Sequence, residues 1–359
     1  MANSHELFMH FNNAVKLSDK DREILKNARN SLRQRVDKGY ANLSEEDRRT
    51  HTIEFQSQGS FVMDTIIKPE LEEDFDLDDG IYFQGRLPRE NRANTQVFHD
   101  LIIKAIDKNS DIEDIIDKST CVRVKYYKPN GEERGFHIDL PIYYAKDLET
   151  PDLADIKNSW TESSPIEFIA WFEEKAKSDF HKAFITEALK YAEPYEKWLS
   201  DIRKEDCQLR RIVRYLKVWA NLKKKDMPSG IMMSIMAANN YVYNQRDDIS
   251  LRDTLTSILN ELYRNGCKCL RPTPKKDEDL FSAFTDNEKE FFKKSLNSFI
   301  TSANQAIENP NKKQSCLKWQ LHLGNRFPCH LAKDEIEGAN VYGAAPIKND
   351  NSRSAGSNE

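Results

Sequence analysis

The chain has 359 residues, 38% hydrophobic and 31% charged, with a mean hydropathy of −0.75. That is a polar composition with enough apolar side chains for a sizeable core, and its length suits about two domains. A formal net charge of −5 and a pI near 6.0 argue against a general nucleic-acid binder, and no apolar run approaches the roughly 20 residues a bilayer span needs.

The first 17 residues lack a basic segment followed by an apolar one, so no signal peptide is expected. Residues 18–40 read as a long helix: Ser18 precedes an acidic first turn, and Ile24, Leu25, Ala28, Leu32 and Val36 recur at helical spacing. Residues 51–61 read as a strand entering a Gly59-Ser60 turn, followed by a loop. Residues 74–83 alternate with period two and predict a second strand, and residues 95–107 predict an amphipathic helix. Residues 121–127 and 135–144 read as strands joined by a Lys-Pro-Asn-Gly turn. Beyond about residue 160 the strand patterns give way to helical runs at 166–176, 179–199 and 209–224. The fold class expected is therefore α+β, with a mixed lobe over 1–160, a helical lobe over 161–335 and a cleft between them. Residues 336–359 are polar, aperiodic and expected to form a disordered tail.

Six cysteines are too few for a disulfide framework, and Cys267, Cys269, Cys316 and Cys329 form no C-x-x-C pair. Buried thiols in a reducing cytoplasm are the expectation.

The chemistry-bearing residues fall in three separated pieces. Gly59-Ser60 follows a strand, Asp76-Leu77-Asp78 lies on the next, and Asp139 lies on a later one. Side chains at i and i+2 on a strand share a face, so Asp76 and Asp78 point the same way. Two adjacent carboxylates repel unless a cation sits between them, and hard oxygen ligands of this kind suit Mg²⁺. A third carboxylate on a neighbouring strand would complete a two-metal site for phosphoryl displacement. Backbone amides of a glycine turn, with the Ser60 hydroxyl, can hold phosphate oxygens. An acidic run such as 70–79 also fits a solvated loop, and Asp74/Asp76 is a rival register on the same strand face.

Read together, Gln58-Gly59-Ser60-Phe61, Lys68-Pro69, Asp76-Leu77-Asp78-Asp79-Gly80 and His137-Ile138-Asp139-Leu140-Pro141 resemble the DNA polymerase β-like nucleotidyltransferase core. The branch they are most similar to is the cGAS/DncV-like (CD-NTase) group of bacterial cyclic-oligonucleotide synthases. Residues 209–219 with Pro228-Ser229-Gly230, Arg271-Pro272-Thr273-Pro274 with Glu278-Asp279-Leu280, and residues 318–328 extend the resemblance over most of 10–330. It implies a polymerase β-like core with a long N-terminal spine helix and settles the register on Asp76 and Asp78. It also implies that Asp76, Asp78 and Asp139 bind two Mg²⁺ ions, with Mn²⁺ as a substitute, and that Asp139 helps deprotonate the attacking hydroxyl. Gln58, Gly59 and Ser60 would hold a donor triphosphate, clamped from the other lobe by Arg214 or Lys217 with Ser229.

Either Tyr143 or Tyr144 could stack on a nucleobase or pack in the core, and Arg123 and Lys125 could touch phosphate or face solvent. The implied activity is condensation of nucleoside triphosphates, purines favoured, into a cyclic di- or trinucleotide for antiphage (CBASS) signalling, with release of pyrophosphate. Rival readings are a linear RNA or tRNA nucleotidyltransferase, a nucleotidylating toxin, and a non-catalytic nucleotide-binding scaffold. The chain lacks the His-Cys-Cys-Cys insertion of the animal relatives, so no double-stranded DNA activator is expected. A regulatory protein acting on the tail is compatible with the resemblance, and no membrane partner is expected.

Overall fold

The computed structural model describes residues 2–48, 51–70, 73–106, 110–128, 134–146, 150–176 and 206–333. The helical run at 179–199, the centre of the turn between the two late strands, and the tail lie outside these residues.

A helix α1 (His5–Val15) leads into the long α2 (Asp19–Ala41), then a short α3 (Glu45–Arg48). Ser18 starts α2 by accepting from the Asp21 backbone N–H at 3.1 Å, while its hydroxyl donates to the Asp21 carboxylate at 2.6 Å. Strand β1 (Thr52–Ser57) runs into a single helical turn, α4 (Gly59–Val62), before β2 (Phe75–Gln84) and α5 (Thr95–Ala105). Strands β3 (Ile112–Asp117), β4 (Cys121–Tyr126), β5 (Phe136–Ala145), β6 (Asp152–Asp155) and β7 (Ser159–Glu162) complete the sheet.

The sheet order is β1-β2-β5-β4-β3, and β6 pairs with both β5 and β7. β2 and β5 run parallel at its centre, and the other pairings are antiparallel. Alternation decides what faces where. Leu77, Ile81, Phe83, Ile138, Leu140 and Ile142 point to one face and make a core with α2 and α5. These two helices meet so closely that a Cβ on Gly39 would lie 1.9 Å from the Ala105 carbonyl oxygen. The opposite parity, carrying Asp76, Asp78, His137 and Asp139, faces the cleft.

The remaining helices are α6 (Pro165–Lys175), α7 (Gln208–Lys223), α8 (Gly230–Asn240), α9 (Asp247–Arg264), α10 (Asp286–Glu308) and α11 (Lys312–Leu323). Their apolar stripes close a second core around Trp219, Phe299 and Trp319. Phe8, Phe11 and Val15 of α1 belong to this core, so the first helix of the chain packs with the helices that follow residue 160.

The cysteines depart from expectation. Cys316 and Cys329 form a disulfide that ties α11 to the turn after it. Their separation of 13 residues is a loop short enough to close once Gly324 and Phe327 reverse the chain. Cys121, Cys207, Cys267 and Cys269 are free thiols, as expected.

Candidate active site

The parallel pairing of β2 and β5 sets the site. In register, Asp76 stands opposite His137 and Asp78 opposite Asp139. All four share the parity that faces the cleft, so they form a two-by-two block. Ligand atoms of Asp76, His137 and Asp139 lie within 4.8 Å of one another. Asp74 sits just before β2, against Gly135, and is outside this group.

Crowding the carboxylates has an electrostatic consequence. The Asp78 carboxyl is pushed up to about 8, first by burial and then by the charges of Asp76 and Asp139. Burial also works to raise Asp76, but His137, Arg123 and Lys118 outweigh it and its net shift is downward. Asp139 is gripped in a two-point fork by Arg123, Nε to Oδ1 at 2.6 Å and Nη2 to Oδ2 at 2.8 Å. Arg123, one of the two candidates for a phosphate contact, therefore serves a carboxylate. The other, Lys125, pairs with Glu113 at 3.1 Å.

The Gly-Ser turn arrives from β1. The backbone N–H of Gln58 donates to the Asp78 carbonyl at 3.2 Å, and Gln58 Nε2 donates to the Tyr143 hydroxyl at 3.0 Å. Gly59 has φ +71°, and a Cβ there would lie 2.2 Å from Asp78 Oδ2. Only glycine fits, because conformation and space exclude a side chain together. Ser60 and Asp78 thus line one cavity of about 380 Å³, whose far wall carries Ser163, Ser234 and Thr273. Tyr143 borders it, its ring stacked on Tyr82 at 4.6 Å, whereas Tyr144 is buried in the sheet core. A second cavity of about 810 Å³, which His137 borders, is walled by Arg123, Lys125 and Lys224 together with Glu73 and Asp74.

From the helical side, α7 presents Arg210, Arg214 and Lys217 along one stripe. Each reaches a successive carbonyl after the Gly-Ser turn. Arg210 donates to Met63 O at 3.0 Å, Arg214 to Asp64 O at 2.6 Å, and Lys217 to Thr65 O at 3.1 Å. Lys217 lines both cavities, and burial lowers its ammonium to about 8. Ser229 lines the larger cavity beside it. Arg214 does neither. It is fully buried and spends its donors on Asp64, on Asn12 at 2.8 Å and on Asp206 at 2.7 Å. Of the two α7 cations expected to clamp a triphosphate, Lys217 faces the cavities, while the Arg214 guanidinium is taken up by buried partners.

Residues 53–143, which hold the turn and all three aspartates, match the family model of the cyclic GMP-AMP synthase DncV-like nucleotidyltransferase domain. Over this segment the chain is similar to the DncV-like nucleotidyltransferase family. It is 24% identical over 219 residues to a cyclic GMP-AMP synthase of Escherichia albertii, covering 58% of this chain and 42% of that one. It is 26% identical over 231 residues to a c-di-GMP synthase of Roseivirga ehrenbergii, covering 61% and 56%. The chain thus spans about half the length of the curated relatives it matches. Among solved structures, Vibrio cholerae DncV cyclic AMP-GMP synthase with a linear intermediate superposes with a TM-score of 0.67 at 18% identity, over 90% of this chain and 96% of that one. Escherichia coli DncV with 3′-deoxy GTP gives 0.67 and 18%, over 87% and 93%. At that identity the likeness is one of fold, and as a DncV-like fold the chain has its carboxylate block in the cleft between sheet and helices.

Two features of this DncV-like site escaped the sequence reading. The Arg123–Asp139 fork joins strands whose register no motif announces. His137 was visible only as the residue two before Asp139, and only strand pairing puts it against Asp76.

Proposed function

We propose that this chain is a metal-dependent nucleotidyltransferase that condenses nucleoside triphosphates into a cyclic di- or trinucleotide and releases pyrophosphate. The observation that carries this reading is the carboxylate block with two cavities beside it and the Gly59-Ser60 turn against it. The smaller cavity suits a donor nucleotide, with its triphosphate on the turn and Lys217 and its base toward the hydroxyl-lined wall. The larger cavity suits an acceptor nucleotide.

The residues fit divalent cations on physical grounds. Asp78 holds its proton to about 8 because burial and the neighbouring carboxylates outweigh Lys217 and Arg123, and a divalent cation would supply the missing charge. Asp76, Asp78 and Asp139 would hold it, and Mg²⁺ is the ion that suits carboxylates and phosphates together. When bound, such ions neutralise the triphosphate and lower the pKa of the attacking ribose hydroxyl. The chain's own residues bind and align. Gly59 and Ser60 fix the donor phosphates, Lys217 neutralises them, and Asp139 stands ready to take the hydroxyl proton. The reading places the protein in the cytoplasm from its sparse cysteines, and favours purines and puts the product in antiphage signalling by family resemblance alone.

The test is incubation with all four nucleoside triphosphates and Mg²⁺ or Mn²⁺, followed by mass spectrometry. A phosphatase-resistant product of two or three nucleotides is expected from the wild type and not from Asp78→Asn. Product formed only on added RNA would assign the linear-transferase reading instead. No product under either condition would leave a nucleotide-binding scaffold.

A further inference from the structure

Beside the three aspartates, the cleft face holds a nitrogen donor. His137 lies two residues before Asp139 on β5 and opposite Asp76 on β2. Its Nε2 lies 2.9 Å from Asp76 Oδ1, within reach of that carboxylate, and has no other partner among the described residues. Its neighbour on β4, Lys125, is engaged with Glu113. The ring is held by its strand, with its Nε2 among the oxygens of the carboxylate block.

We propose that His137 supplies a nitrogen ligand to one cation of the carboxylate block, completing an Asp76–His137–Asp139 set. The inference rests on the reading that this block binds divalent cations. It adds that one position is a mixed nitrogen and oxygen site, unlike one built of carboxylates alone. The ligand atoms already lie within 4.8 Å of one another, close to the spacing that bonds of roughly 2.1 Å to a single ion require. Imidazole shifts preference away from Mg²⁺, which demands oxygen ligands, and up the Irving–Williams order. The set therefore selects Mn²⁺ and, more strongly, Co²⁺ over Mg²⁺ at that position. Asp78 remains an oxygen-only ligand and leaves the other position to Mg²⁺.

The deciding measurement needs no turnover. Mn²⁺ alone is added to nucleotide-free protein and examined by electron spin-echo modulation. A ¹⁴N modulation is expected from the wild type. It should become the ¹⁵N pattern in protein labelled with ¹⁵N-histidine, which keeps the native fold, and should vanish in His137→Asn. Co²⁺ titration of His137→Asn, followed by its visible absorption, should weaken by at least about tenfold, with Mg²⁺ affinity by competition changed far less. Mn²⁺ that binds the wild type, depends on Asp76 by comparison with Asp76→Asn, and shows no histidine nitrogen overturns the proposal while sparing the metal centre. Equal losses of Co²⁺ and Mg²⁺ affinity in His137→Asn also overturn it, because His137 then only positions Asp76. Mn²⁺ that does not bind, or binds Asp76→Asn as it binds the wild type, overturns the metal centre and this proposal together.

Discussion

Asp78 carries the strongest electrostatic tension in the cleft. Its carboxyl titrates at about 8 in the folded chain against an ordinary 3.8. Because the folded state holds this proton more tightly than the unfolded one, the metal-free protein loses stability as pH climbs from about 4 through about 8. An asparagine there has no charge to lose. Metal-free Asp78→Asn should therefore melt higher than metal-free wild type at pH 8, by on the order of 1 kcal/mol or about 2 °C. Added Mg²⁺ should raise the wild type and leave the variant unmoved. The same substitution should cut nucleotide transfer by about 10²-fold or more, since charge stabilisation at the reacting centre is what it removes. Thermal melts at pH 6 and pH 8, with and without Mg²⁺, check the first claim, and product mass spectrometry checks the second. A variant that is both inactive and less stable would mean that Asp78 acts as a structural side chain.

Helix α7 divides its labour along one stripe. Arg210 is committed to Glu173 at 2.5 Å and Arg214 to Asp64 and Asp206, while Lys217 meets Thr65 and faces both cavities. Removing Arg214 takes the shared arginine from two interior carboxylates, leaving Asp64 to Arg22 and Asp206 to Asn12, which costs up to about 3–5 kcal/mol. Lys217 is a buried ammonium that burial already disfavours, so its loss should be nearly neutral for folding. Arg214→Met is thus expected to unfold at much lower urea, and Lys217→Met to unfold near the wild-type midpoint but lose transfer activity. If Arg214→Met kept its stability, or Lys217→Met its activity, the division would be wrong. Sequence could not make this distinction, since both cations sit on an amphipathic helix and Asp64 lies 150 residues from Arg214. What sequence could read were elements with long, clean periods, namely α2, β2, β5 and α7. It missed α1, although Phe8, Phe11 and Val15 recur there at helical spacing. It also missed β3, an acidic six-residue strand at the sheet edge, and β6 and β7, which at four residues each are too short to show a period. The three aspartates were legible because strand parity aims Asp76 and Asp78 together and the motif resemblance decided against Asp74 and added Asp139. His137 and Arg123 were not, because their roles depend on register.

At the scale of the whole molecule, the helical core determines how the chain answers to its medium. The chain's start is anchored to that core: the Ala2 backbone N–H donates to Asn309 O at 2.9 Å, and the Ser4 backbone N–H donates to Asp248 at 3.1 Å. The disulfide closes α11 onto its following turn, so thiol titration in denaturant without reductant should find four reactive groups, and a count of six would refute the bridge. The same helix carries His322, buried against Phe299 with ring centroids 4.5 Å apart, its Nε2 2.9 Å from Ser302 Oγ. Its Nδ1 is buried without a hydrogen-bond partner among the described residues. Burial, aided by the charge of Lys223, lowers this imidazole from 6.5 to about 4. The unfolded chain therefore takes up a proton that the folded chain refuses. Stability is complete above pH 6.5 and drains away as pH falls toward 4, by up to about 3 kcal/mol if the shift is fully expressed. His322→Gln cannot titrate, so its urea midpoint should stay flatter between pH 6.5 and 4.5, whatever its absolute value at pH 7. Below about pH 4 both proteins should fall together, because Asp206 and Asp247, each held below the usual carboxylate range against burial by arginine partners, begin to protonate in the unfolded chain first. Parallel curves for wild type and variant from pH 6.5 to 4.5 would show that the His322 ring reaches water in the folded state, and that the core around Phe299 and Trp319 opens locally to admit it.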